Sequence, residues 1–158
     1  MSDEYKADSV NESPTVNLNT VLAVLSIAAK RKLKKKIYDV SGAYLNADLK
    51  DSEFMRLGKD ITSTLTRANP EYNKYVVNGT IVVELKKALY GLKQAGRAWY
   101  DLLTKQLESQ GYLRSDIDRC LFTKIVGASI THIEVYDDDL LIVGNDDTEL
   151  PISKRNSA

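Results

Sequence analysis

The stretch YDDDLLIV, residues 136–143, places three consecutive aspartates beside apolar residues. Residues 129–136 before the turn and 140–143 after it are rich in aliphatic and β-branched side chains, which is typical of strands. We therefore expect Asp137, Asp138 and Asp139 in a hairpin turn at the end of a buried sheet. A solvated Asp-rich turn is also common in proteins, so the stretch alone leaves both interpretations open.

The aspartates of this turn are candidate metal ligands. Adjacent carboxylates repel one another unless cations neutralise them, and grouped hard oxygen ligands suit Mg²⁺ or Mn²⁺. A further acid, Asp39, ends an apolar strand predicted over residues 36–40. If the two strands are neighbours in one sheet, Asp39 would converge with Asp138 and Asp139. That is the minimum arrangement for a two-metal site.

The charge of the chain is balanced in total but segregated along the sequence. There are 22 basic and 22 acidic residues, and a net charge of zero ordinarily argues against nucleic-acid partners. However, residues 30–36 contain six bases, whereas residues 133–150 contain seven acids and no base. The basic run is either a solvated helix end or a phosphate-facing patch.

Composition limits the class of protein. With 158 residues and 43% hydrophobic content the chain has the size and core of one domain, which excludes a disordered or collagen-like protein. The single cysteine, Cys120, excludes an internal disulfide. Residues 21–29, the longest apolar stretch, are too few to span a bilayer. We expect an intracellular protein with no membrane partner.

Local patterns predict a mixture of helices and strands. Helices are expected over residues 18–29, capped by Asn17 or Asn19, and over 93–110 with Gly111 at C′. A short helix is expected within 41–49. Strands are expected over 36–40, 53–57, 120–126, 129–136 and 140–143, with a hairpin over 75–85 that turns at Asn78-Gly79. Since helices and strands do not alternate regularly, the expected class is α+β.

Four blocks of sequence together resemble the reverse transcriptase of copia-type LTR retrotransposons. They are DVSGAYLN at 39–46, LKKALYGLKQA at 85–95, WY at 99–100 and YDDD at 136–139. The block LKKALYGLKQA is highly specific for that group. All four occur in the family's order and at plausible spacing, and the resemblance covers residues 13–144.

The resemblance implies a reverse-transcriptase palm and fingers-like fold, with an antiparallel sheet packed by helices and without a thumb or RNase H domain. It divides the chain into a polar acidic tail (1–12), a fingers and palm region (13–144) and a disordered C-terminal tail (145–158). The implied activity is RNA-directed DNA polymerase, acting on an RNA or DNA primer–template and dNTPs. Other Pol segments are implied partners, and the cytoplasm, within a virus-like particle, or the nucleus is the implied location.

The resemblance also implies roles for individual residues. Asp39, Asp138 and Asp139 would bind two Mg²⁺ (or Mn²⁺) ions and drive attack of the primer 3′-hydroxyl on the dNTP α-phosphate. Tyr44 matches the aromatic that blocks a ribose 2′-hydroxyl, although plain packing also explains it. Gln94 matches a glutamine that touches the incoming nucleotide, although it also suits a helix start.

Four further residues receive expectations on the same basis. Tyr136 would pack beneath the primer end. Lys93 and Arg97 would face the phosphate backbone, or else are ordinary exposed helix cations. Trp99 is expected in the core more than as a base-stacking platform.

The chain departs from the family pattern in ways that leave alternatives open. Asp137 occupies a position that is usually apolar in this family, and the acidic segment 1–12 stands where a basic fingers strand is expected. We expect a fragment of a Pol polyprotein or a degraded element. The alternatives are a catalytically inactive remnant that acts as a nucleic-acid-binding or interaction module, and a metal-binding or hydrolytic domain, for which the sequence offers no candidate base.

Overall fold

Two antiparallel sheets and three α-helices make up the part of the chain that the computed structural model describes, residues 13–145. The helices are α1 (Leu18–Arg31), α2 (Lys59–Ala68) and α3 (Ala95–Ser109). The strands are β1 (Lys34–Asp39), β2 (Asp48–Leu57), β3 (Ile81–Lys87), β4 (Leu113–Arg114), β5 (Leu121–Val126), β6 (Ser129–Tyr136) and β7 (Asp139–Gly144). Short 3-10 segments occupy Ala43–Asn46 and Pro70–Tyr75. The predicted tail 1–12, and the tail 145–158 apart from Asn145, lie outside the described residues.

The larger sheet carries the candidate site. Its strand order is β1-β7-β6-β5-β4, and every neighbouring pair is antiparallel. The smaller sheet pairs β2 with β3. These elements confirm the predicted mixture of helices with an antiparallel sheet. In the described region, no helix is long and apolar enough to cross a membrane.

The two faces of the larger sheet pack against different helices. Because side chains alternate along a strand, Leu140 and Ile142 face α3, where Leu103 and Leu107 are fully buried. On the opposite face, α1 packs Val24 and its neighbours against the far end of β7. Residues 139 and 141 share this second face.

The helix ends follow from local sequence. The Asn19 backbone N–H donates to Asn17 Oδ1 at 2.9 Å, which confirms the predicted cap of α1. At the end of α3, Gly111 has φ +85° and its N–H donates to the Glu108 carbonyl at 2.9 Å. The Tyr112 N–H donates to the Leu107 carbonyl at 3.1 Å, which completes a Schellman motif.

The predicted hairpin over 75–85 is wrong apart from its turn. Asn78 and Gly79 have φ of 51° and 75°, as a type I′ turn requires, but only Val77 and Thr80 pair across it. Tyr75, the first residue of the predicted hairpin, ends the 3-10 segment Pro70–Tyr75, which Asn69 caps. Strand β3 therefore pairs with β2. Strand β2 is longer than the predicted 53–57, because Asp48 also pairs with β3, at Lys87, beyond a shift in register that precedes Glu53.

Two helical predictions also need correction. The short helix expected within 41–49 is a four-residue 3-10 segment, Ala43–Asn46. Helix α2 had no predicted counterpart, because Gly58 precedes it without a side-chain cap and Thr62 is its one buried residue in the described structure.

Candidate functional site

The sheet register places Asp39 opposite Asp139. Strands β1 and β7 are hydrogen-bonded neighbours, with Asp39 paired to Asp139 and Tyr38 paired to Leu140. The Val40 N–H continues the contact by donating to the Asp138 carbonyl at 2.9 Å. Residues directly opposite each other in an antiparallel pair project to the same face, with Cβ atoms about 5 Å apart. Asp39 and Asp139 are therefore juxtaposed at one end of the larger sheet.

The turn that carries the other aspartates is a tight two-residue connection. Tyr136 pairs with Asp139, which leaves Asp137 and Asp138 as the central residues. Asp137 has φ +51° and Asp138 does not have positive φ, the combination of signs found in a type II′ turn. A left-handed conformation is uncommon for a residue other than glycine, so the surrounding structure must hold it.

Trp99 of α3 holds this turn from the core. Its ring is buried, with 2% of its surface exposed, as expected for a core residue. Its Nε1–H also donates to the Asp137 carbonyl at 2.9 Å. One side chain thus fills the core beneath the sheet and fixes the backbone of the strained residue, a link that sequence reasoning did not anticipate.

The aspartate side chains are near the surface. Asp39, Asp137 and Asp139 are exposed and Asp138 is half-buried. Within residues 13–145, no group of three or more His, Cys, Asp or Glu side chains is arranged to hold a metal ion. The backbone therefore brings the carboxylates of this region close together, and carboxylate oxygens are ligands that suit Mg²⁺ or Mn²⁺. Binding of one ion by three of these carboxylates would require the side chains to reorient.

Tyr44 lies near the turn. It is half-buried in the segment Ala43–Asn46, and its ring centroid is 5.8 Å from that of Tyr90. Burial raises the pKa of the Tyr44 phenol, and the charges of Asp137 and Asp138 raise it further. The phenol consequently remains a neutral hydroxyl beside the acidic turn.

Gln94 and Arg97 meet in a separate concavity of about 190 Å³ at the start of α3. Gln94 Nε2 donates to Glu53 Oε1, and Arg97 Nε donates to Asp101 Oδ1 at 2.9 Å. Lys93, one residue before Gln94, is exposed. Gln94 and Arg97 therefore lie close to each other, but their hydrogen bonds are to Glu53 and Asp101 and not to the aspartates of the turn.

Sequence reasoning missed a buried acid that has no hydrogen-bond partner. Glu134 of β6 has only 3% of its surface exposed, and neither carboxylate oxygen has a hydrogen-bond partner. Burial raises its pKa to about 7, and the nearby charge of Asp118 adds to the effect. Asp118 itself is satisfied, because its two oxygens accept the N–H groups of Asn17 (3.0 Å) and Cys120 (2.9 Å). The sequence signal was a lone acid within the apolar run of β6.

Comparison with known proteins gives the family. Residues 2–157 match the model for "Reverse transcriptase (RNA-dependent DNA polymerase)". The chain belongs to this reverse transcriptase family. Its membership confirms the resemblance that the four sequence blocks indicated.

Relatives of this chain include Pol polyproteins of copia-type transposons. It is 37% identical over 138 residues to the retrovirus-related Pol polyprotein from transposon RE1 of Arabidopsis thaliana, covering 87% of this chain and 9% of the relative. It is 33% identical over 135 residues to that from transposon TNT 1-94 of Nicotiana tabacum, covering 85% of this chain and 9% of the relative. The chain therefore spans less than a tenth of these relatives. No solved structure matches it significantly.

Proposed function

We propose that residues 13–144 form the fingers and palm region of a copia-type reverse transcriptase, with Asp39, Asp138 and Asp139 as ligands of two Mg²⁺ (or Mn²⁺) ions. The observation that carries the proposal is the direct cross-strand pairing of Asp39 with Asp139. Ions shared by Asp39 and the turn would need their carboxylates on one face of the sheet. This register supports such a site, because it sets Asp39 opposite Asp139 beside the turn that holds Asp138.

Bound ions would activate the primer 3′-hydroxyl and neutralise charge on the dNTP α-phosphate. The protein's contribution is placement. Pairing with β7 fixes the backbone of Asp39, and the Trp99 hydrogen bond fixes that of the turn. Tyr136, more than half exposed, offers a ring beside the aspartates for the primer end.

The remaining residues have proposed roles in binding substrate. Tyr44 would limit the space beside the turn and so exclude a ribose 2′-hydroxyl, which is consistent with its proximity to Asp137 and Asp138. Gln94 would contact the incoming nucleotide, after exchanging its hydrogen bond with Glu53. Lys93 and Arg97 would contact backbone phosphates, with Asp101 as the resting partner of Arg97.

Asp137 should modify the site. Its carboxylate adds negative charge beside the proposed ion ligands, which opposes the approach of a primer phosphate. We therefore propose that Asp137→Asn supports more primer extension than the natural chain, provided that the site acts as assigned.

Primer extension on an RNA template tests the assignment. The natural chain is assayed with Mg²⁺ and with Mn²⁺, beside Asp39→Asn and the double variant Asp138→Asn, Asp139→Asn. Asp116→Asn, in an exposed loop, is the matched control. We expect nucleotide incorporation by the site variants to be at least about 100-fold lower than that of the natural chain. Incorporation by the control should be unchanged. Equal incorporation by all the proteins would contradict the assigned site.

A second candidate function is nucleic-acid binding by an inactive remnant. Exposed bases at the end of α1 continue into β1, which ends at Asp39, so a positive surface leads to the candidate site. This function is favoured if neither the natural chain nor any variant incorporates nucleotides, while the natural chain binds RNA with an affinity that falls as salt rises. Lys35→Gln should then reduce that salt dependence. We propose RNA, dNTPs and other Pol segments as partners of this region, and an intracellular location.

A further inference from the structure

A cavity of about 370 Å³ opens between the start of α1 and the face of the larger sheet that points away from α3. Its walls are mainly apolar and include Val16, Val21, Ile37 and Leu141. A concavity of this volume, open to solvent on one side, is in the size range of sites for small organic ligands.

The cavity contains a buried acid with no partner. Glu134 lines it, has 3% of its surface exposed, and has neither oxygen hydrogen-bonded. A buried carboxylate without partners is costly to the fold, and the described residues supply no hydrogen-bond donor to it. Both oxygens are buried and have no partner. If the carboxyl turned towards the cavity, a partner with two parallel N–H groups would satisfy them together, as in a bidentate pair.

The mouth of the cavity also favours a cation. Asp139 and Tyr136 line it together with Glu134. Asp139 adds a second carboxylate, and the partly exposed Tyr136 ring is available for a cation–π contact. The carboxylates of Glu134 and Asp139 thus place negative charge at two points of an otherwise apolar lining.

We propose that this cavity binds a flat apolar cation with two parallel N–H donors, an aryl amidine or an aryl guanidine, with Glu134 as its counter-ion. The apolar walls hold the ring, and the carboxylate accepts both N–H groups. The cavity adjoins the proposed metal site, because Tyr136 and Asp139 line it. Glu134 itself is outside the proposed catalytic residues, and the binding test needs neither primer nor nucleotide.

Benzamidine is a suitable probe, titrated into the full chain at about pH 8 and followed by ¹H–¹⁵N NMR. Benzyl alcohol, of similar shape but neutral, is the ligand control. We expect benzamidine to shift the amide signals of Val21, Ile37 and Leu141 and to bind at least about 10-fold more tightly than benzyl alcohol, as for a charge-assisted bidentate pair.

Two variants assign the effect to the cavity. Glu134→Gln keeps the shape of the side chain but removes its charge, so benzamidine affinity should fall at least about 10-fold while benzyl alcohol affinity is unchanged. Val21→Phe should fill the cavity from α1 and weaken both ligands. Glu71→Gln, at an exposed acid, is the control for loss of a charge.

Three results would overturn the proposal. These are equal affinity for benzamidine and benzyl alcohol, unchanged benzamidine affinity in Glu134→Gln, and signal shifts that lie outside the cavity. Any of them can occur whether or not the chain extends a primer, so the outcome is distinguishable from that of the polymerase assay.

Discussion

Replacing Glu134 with glutamine removes a titrating group that is buried at a cost to the fold. In the folded protein its pKa is raised from 4.5 to about 7, chiefly because the carboxyl is buried and secondly because Asp118 is near. The folded state therefore retains a proton that the unfolded chain releases above about pH 4.5. The contribution of this group to stability is consequently greatest at low pH and falls as the pH rises towards 7.

The size of the effect follows from the two pKa values. Between pH 5 and pH 8, linkage with values of 4.5 and about 7 lowers the free energy of unfolding by about 2.5 kcal/mol. This is a large share of the stability of a small domain, which is about 5–15 kcal/mol. A glutamine side chain does not titrate, so the Glu134→Gln variant loses this part of the pH dependence.

Urea unfolding of both proteins at pH 5 and pH 8 measures the difference. His132, two residues away on the same face, has its pKa lowered by burial and by Arg31, so it acts in the opposite direction over this range. The charge of Asp118 also acts on Glu134. Both groups are present in each protein, so the difference between the two pH dependences isolates Glu134. Parallel pH dependences, within about 0.5 kcal/mol, would refute the reasoning.

Four other substitutions, one of them a control, test features of the fold by urea unfolding. Trp99→Phe keeps a ring in the core but removes the hydrogen bond to Asp137, and should lower the free energy of unfolding by about 1–2 kcal/mol. An unchanged free energy of unfolding would show that the turn keeps its conformation without this hydrogen bond. Gly111→Ala should cost about 1 kcal/mol because φ is +85° there, whereas Gly58→Ala, at φ −60°, should be near neutral; equal effects would contradict this. Lys32→Gly should stabilise by about 0.5 kcal/mol, since Lys32 ends α1 at φ +54°; a loss would contradict the strain argument.

Features set by a few neighbouring residues were predictable from the sequence. Asn17 as the cap of α1 and Gly111 after α3 depend on hydrogen bonds within one helical turn. The turn at Asn78 and Gly79 is equally local, and it forms as predicted. The two strands predicted on either side of this turn do not pair with each other, because β3 pairs with β2, about 30 residues earlier in the chain.

Features that depend on distant residues were harder to predict. The register of Asp39 with Asp139 joins segments 100 residues apart, and periodicity alone does not specify it. The burial of Glu134 depends on α1, which is distant in sequence and lies over the same face of the sheet. Its sequence neighbours indicate a strand but cannot show which face is enclosed.

The position of β1 has a consequence for the behaviour of the protein in concentrated solution. In the described region β1 is the outermost strand of the larger sheet, with β7 on one side. An outer strand is a template for pairing with another molecule, and lysines are a common protection against such pairing. Lys34, Lys35 and Lys36 make up half of β1. The same bases that suit an RNA backbone would thus keep neighbouring molecules from adding strands to the sheet that holds Asp39.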